Sequence, residues 1–196
     1  MSSRPPTPAE IVPAWRHVLS ADLAAHAQHP AASFVQLATL DVDGFPANRT
    51  LTFRRFGQTS ELVFTTDLRS QKCEQIAHDA KAEACWYFAD ARVQWRLRGR
   101  VGVAGPRSRT YQTLRAEVWA LLSESSRRRF LWPTPGQALG ESIDASLSTP
   151  NSPPASFGLL VLSPLRAGRL DLRAAPNRHL SWSATRSGWR MTELNP

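Results

Sequence analysis

Residues 34–56, FVQLATLDVDGFPANRTLTFRRF, leave this chain little choice of local structure. Phe34, Gln36, Ala38 and Leu40 alternate with Val35, Leu37 and Thr39. A two-residue period puts successive side chains on opposite faces, which suits a strand and not a helix. Asp41-Val42-Asp43-Gly44 supplies the turn, and an alternating stretch returns over 48–56, so the segment predicts a β-hairpin. Strict alternation places Arg49, Leu51, Phe53 and Arg55 on one face of the return strand. Thr50, Thr52, Arg54 and Phe56 take the other.

Further strands are expected at 62–65, 82–88, 93–104, 157–163, 167–172, 179–184 and 189–194. Ile11, Trp15, Val18, Leu19 and Leu23 recur at helical spacing over 9–29, and His29-Pro30 closes that helix because the residue before proline leaves the helical region. A second helix is expected over 69–78 with Asp67 as its N-cap. Residues 107–130 read as one or two helices broken near Ser123. The proline-rich residues 1–8 form a loosely ordered tail, and 133–156, rich in proline, serine and glycine, form a long loop. No internal repeat is present. Locally paired strands with helices at one end and in the middle indicate an α+β protein built on an antiparallel barrel. At 196 residues and 42% hydrophobic content, the chain can bury a core as one domain.

The net charge of +8 is carried almost wholly by arginine, since Lys72 and Lys81 are the only lysines. Arginine binds phosphate and carboxylate bidentately. Two cysteines, Cys73 and Cys85, give no disulfide framework and read as core residues, which fits a reducing cytoplasm. The longest apolar runs are too short to span a bilayer, so no membrane partner is expected. The five histidines show no metal-ligand spacing. Seven tryptophans are assigned mainly to core and interface packing.

The segment ELVFTTDLRSQKCEQI (61–76) holds the chemistry: a short strand, two threonines, then Ser70 and Lys72 where a helix begins. A fresh helix offers unpaired N–H groups and the positive end of its dipole, so this turn reads either as a phosphate grip or as a capped surface helix with solvated basic residues. Arg49 and Arg54 lie on opposite faces of the neighbouring strand and cannot share one pocket by pattern alone. The arginine run 126–130 is assigned to solvated surface. Arg96, Arg98 and Arg100 form a stripe suited either to phosphate backbones or to carboxylates across an interface.

Four blocks, RTLTFRRF (49–56), LVFTTDLRSQK (62–72), AEACWYF (82–88) and VQWRLRGRV (93–101), resemble in order and spacing the pyridoxamine 5′-phosphate oxidase-like superfamily of FMN-binding split barrels. The likeness is greatest to a branch whose members are known mainly as FMN-binding. It spans about residues 12–132, with an echo in 177–196. It implies an α+β fold: an antiparallel FMN-binding split β-barrel with flanking helices. It also implies FMN as cofactor, a homodimer with FMN at the subunit interface, and an oxidoreductase acting on a small molecule. On this resemblance Arg49 meets the FMN phosphate and the backbone of Thr50, Leu51 and Thr52 lines the isoalloxazine. Arg54 lies by the ring, and Thr65 and Thr66 contact the ribityl chain or ring edge. Ser70, Gln71 and Lys72 grip the phosphate, with Gln71 standing where relatives have arginine. Gln94 reaches the flavin from the partner subunit, and Arg178 aligns with a late arginine near the ring. Enzymes oxidising pyridoxamine phosphate resemble one another in a late Arg-x-His; this chain has Ala174, Ala175 and Pro176 there. Trp119 stands near where a phosphate-binding tyrosine is expected. Vitamin B6 oxidation is therefore not expected. The alternatives are a flavin-binding protein without catalysis and an arginine-rich nucleic-acid-binding module. Haem handling lacks a histidine motif.

Overall fold

The computed structural model describes residues 12–140 and 147–196. Strands β1 (Phe34–Leu40) and β2 (Pro46–Phe56) form the expected hairpin, with Phe34 opposite Thr52 and Leu40 opposite Pro46. The Asp41 carboxylate accepts the N–H groups of Asp43 and Phe45, and Gly44 turns the chain at φ +84°, a conformation a side chain would strain. β3 (Leu62–Asp67) pairs with β2. On the other side of β1 come β4 (Lys81–Phe88), β5 (Val93–Ala104) and β6 (Phe157–Asp171). β6 then pairs with β3, from Leu62 opposite Leu162 to Asp67 opposite Phe157. That contact closes six antiparallel strands into a barrel. β7 (Arg178–Thr185) and β8 (Gly188–Leu194) extend the sheet beyond β6.

Helix α1 (Ala14–Ala25) sends Trp15 and Leu19, both fully buried, into a core shared with Val35, Leu37, Phe64, Trp86, Trp95 and Leu97. The strand alternation of the sequence is what lines this interior. Helix α2 (Gln71–His78) follows β3. Helices α3 (Gln112–Leu121) and α4 (Glu124–Arg128) break at Leu122 and Ser123, and the Ser123 hydroxyl accepts the Ser126 N–H. A second apolar cluster joins Val118, Trp119 and Leu122 to Val63, Phe157, Leu159 and Val161 on the outer side of β3 and β6.

Four expectations need correction. α1 ends at Ala25 rather than near His29, because its apolar register stops at Leu23; residues 9–11 of that reading, the tail 1–8 and residues 141–146 of the long loop lie outside the described residues. The strands at 157–163 and 167–172 are one strand: Pro164 sits at a bulge opposite Gly99, leaving Leu165 as the extra residue, so its missing N–H breaks no ladder bond. A second bulge in β2 inserts Arg54 between Phe53, opposite Phe64, and Arg55, opposite Val63. Phe56 therefore returns to the core side with Phe53, and Arg55 turns outward, the reverse of strict alternation. Cys85 lies half-buried on the outer face, whereas Cys73 is buried as expected.

Candidate functional site

The turn from β3 into α2 is built by Asp67. Its carboxylate accepts the Arg69 N–H at 2.9 Å and the Arg69 guanidinium at 2.6 Å, and Arg69 also donates to the Trp132 carbonyl at 2.9 Å. Asp67 thus shapes the approach, while the N-cap position itself falls to Ser70, a shift from the expected cap. Among the described residues no side chain caps the first turn of α2. The Ser70 hydroxyl donates to the Asp67 carbonyl at 2.5 Å and accepts Lys72 Nζ at 2.7 Å.

Arg49 reaches the same place from β2. Arg49, Ser70, Gln71, Lys72 and Gln75 line an open depression of about 370 Å³, with Pro135 and Gly136 on its far wall. Neither Arg49 nor Lys72 has a carboxylate partner among the described residues; the guanidinium donates to Leu37 O, Thr39 Oγ1 and Gln75 Oε1. Burial pushes the Lys72 ammonium down, and the Arg49 charge acts the same way against the opposing pull of Cys73 and Asp67. Burial likewise lowers Arg49. Two half-buried cations that repel each other across an uncapped helix start make a site that an anion would relieve. A phosphate monoester such as that of FMN fits this donor set.

The remaining expected residues fall in three places. Thr50 and Thr52 are on the outer side of β2, while the Leu51 side chain is buried in the core, so Leu51 can offer a ligand only its backbone. Arg54, lifted out by its bulge, donates to Thr65 Oγ1 at 3.4 Å; burial and the nearby charge of Arg129 both lower it. Thr66 is buried, donates to the Asp67 carbonyl and approaches Cys73 Sγ at 3.7 Å. Arg49 and Arg54 belong to different pockets, as alternation suggested.

Gln94 stands apart from the depression within the protomer. It lies in a concavity of about 210 Å³ on the outer sheet face, with Arg96, Gly168 and His179. Gln94 pairs with Leu170 and Leu170 with His179, so the three form a row across β5, β6 and β7. Arg178 does not join them. It shares its side of β7 with the buried Trp182 and is held by Glu193 at 2.9 Å. His179 rather than Arg178 faces the concavity, since neighbouring residues of a strand point to opposite faces.

Sequence reasoning also missed Gln75 and Thr39, whose contacts with Arg49 join α2 to the first hairpin, and Arg129, one of a run assigned to solvated surface. Its neighbours do have partners: Arg127 donates to the Trp119 and Ala120 carbonyls at the end of α3, and Arg128 pairs with Glu124. Arg96 and Arg98 both bond Glu83 of their own chain, so that stripe is partly neutralised within the protomer.

Comparison with known proteins agrees with this architecture. Residues 12–105 match the family described as pyridoxamine 5′-phosphate oxidase, FMN-binding domain. The chain is 34% identical over 191 residues to pyridoxine/pyridoxamine 5′-phosphate oxidase 2 of Arabidopsis thaliana, covering 93% of this chain and 96% of the relative. A crystal structure of a pyridoxamine 5′-phosphate oxidase-related, FMN-binding protein from Nostoc punctiforme superposes with a TM-score of 0.89 at 34% identity, covering 94% of this chain and 98% of that one. PhzG from Burkholderia lata, solved with tetrahydrophenazine-1-carboxylic acid, shares the fold at a TM-score of 0.79 and 18% identity, over 98% and 94% of the two chains. The chain belongs to the pyridoxamine 5′-phosphate oxidase-like family of FMN-binding split barrels.

Proposed function

We propose that the whole chain works as one FMN-binding domain, in a homodimer with FMN at the subunit interface, and that it is a cytoplasmic oxidoreductase acting on a small molecule. The observation that carries this reading is the pairing of Arg49 and Lys72, without a carboxylate, at the uncapped start of α2. Arg49, Ser70, Gln71 and Lys72 would hold the phosphate. Thr65 and Arg54 would lie along the ribityl chain and ring, with Arg54 favouring negative charge on the ring. Bound FMN supplies the electron transfer; the chain supplies orientation and local charge. Gln94, and His179 beside it, lie on the far outer face and so would serve the flavin of the partner subunit.

Purified protein should carry a flavin absorption spectrum, and mass analysis of the denatured supernatant should find FMN. Arg49→Ala and Lys72→Ala should each weaken FMN about 10- to 100-fold, the range for removing a charged hydrogen-bond partner, and barely change riboflavin. Equal losses for both ligands would show that these residues do not touch phosphate.

The substrate is not a B6 phosphate on this reading. Ala174-Ala175-Pro176 offers no charged side chain; of the alternatives, Arg169 and Arg173, Arg169 is held by Asp22 and Asp171. The second reading is B6 phosphate oxidation, favoured by the name of the Arabidopsis relative and by the Arg54 and Arg129 charges. FMN-loaded protein should not turn over pyridoxamine or pyridoxine phosphate at a useful rate, yet its flavin should be reduced by dithionite and reoxidised by oxygen. Steady turnover of either B6 phosphate would put the second reading first.

A further inference from the structure

We propose that Gln75 is a positioning residue that keeps Arg49 aimed and electrically uncompensated for a phosphate, an inference that rests on the FMN reading above. The Gln75 side chain is buried, yet it lines the anion depression. Its Oε1 accepts Arg49 Nη2 at 2.5 Å and the Thr39 hydroxyl at 2.9 Å. Thr39 Oγ1 in turn accepts Arg49 Nη1 at 2.7 Å, and Leu37 O accepts the same nitrogen at 3.1 Å. Arginine can only donate, so the amide must present its oxygen to Arg49, and the Thr39 proton must point at that oxygen. The three groups form a closed triangle with one consistent proton arrangement. The Gln75 N–H pair is then what remains to it for the depression.

Every acceptor of Arg49 is neutral: a carbonyl, a hydroxyl and an amide. A glutamate of the same length at 75 would hold the guanidinium more strongly, because charge-assisted hydrogen bonds are roughly twice as strong as neutral ones. It would also cancel the charge that an incoming phosphate needs. Glutamine fixes the geometry and leaves the charge free. Neighbouring Glu74, on the exposed side of α2, shows that a carboxylate is tolerated one residue away where it cannot reach Arg49.

The test uses the full chain with FMN and riboflavin as paired probes. Gln75→Glu should lower FMN affinity about tenfold or more, while riboflavin changes by less than about twofold and the thermal midpoint stays level or rises. Gln75→Met keeps the volume and the Arg49 charge but removes the acceptor, and should cost FMN about threefold. A purely structural role would move both ligands together and lower the midpoint in both variants. A Gln75→Glu protein with the wild-type ratio of FMN to riboflavin affinity overturns this inference alone. If that variant does not fold, an unchanged ratio in Gln75→Met does the same. A wild-type protein without preference for FMN over riboflavin removes the phosphate reading and this inference with it.

Discussion

Arg49 and Arg169 show how surroundings decide the use of a guanidinium. Arg169 donates to Asp22 at 2.8 Å and Asp171 at 3.2 Å, and Asp22 also accepts Trp95 Nε1 at 2.7 Å. Two carboxylates offset the one cation there, and the group fastens α1 to the end of the barrel. Asp22→Ala would leave Arg169 with Asp171 alone and Trp95 Nε1 without its acceptor, so it should destabilise the protein by about 1–3 kcal/mol, seen as a lower urea midpoint. FMN affinity should hardly change. Arg49 has the opposite surroundings, with neutral acceptors only. The strand position of Arg49 and the Ser70-Lys72 turn were legible because they lie in contiguous motifs. Gln75 was not, because its contact spans 26 residues to Arg49 and leaves no local periodicity.

At the scale of elements, periodicity located most strands but not their irregularities. The bulge at Arg54 exchanges the faces of Arg55 and Phe56, and a two-residue period carries no trace of it. Pro164 looked like a strand end and is instead the centre of β6, made possible by Gly99: a Cβ there would come 2.8 Å from Pro164 Cα, closer than any relaxed contact. Gly99→Ala should therefore cost about 2–4 kcal/mol, because the clash is with backbone that cannot rotate away. Denaturant unfolding would measure it, and a loss under half a kcal/mol would mean the bulge yields. On the outer face, burial pushes Glu83 up, but hydrogen bonds from Arg96 and Arg98 outweigh it and hold the carboxyl below its ordinary 4.5. A depressed folded value means that its stabilisation is present above that ordinary value and fades as pH falls through the folded one. Both arginines are more than half exposed, so screening keeps the effect under about 1 kcal/mol. Glu83→Gln should flatten that part of an acid-unfolding curve.

For the whole molecule, a barrel filled by its own side chains has no room for a flavin inside, which is why the cofactor reading requires a second copy. Sedimentation of the apo chain should give a dimer at micromolar concentration; a monomer that still holds FMN would contradict a shared site. The +8 charge should give only weak retention on nucleic acid, erased near physiological salt. The barrel itself was legible from alternation and from the order of the motifs. Its closure was not, since the β3–β6 pairing joins segments far apart in sequence. That closure has a consequence for synthesis. β3 leaves the ribosome with β2 on one side and nothing on the other, and β6 follows roughly ninety residues later, about 5–20 seconds at ordinary elongation rates. For that interval the nascent chain exposes an unprotected edge of Leu62, Val63 and Phe64, each buried in the finished barrel. Translation speed across the stretch before β6 thus sets how long a growing chain can be captured by a neighbour before it seals itself.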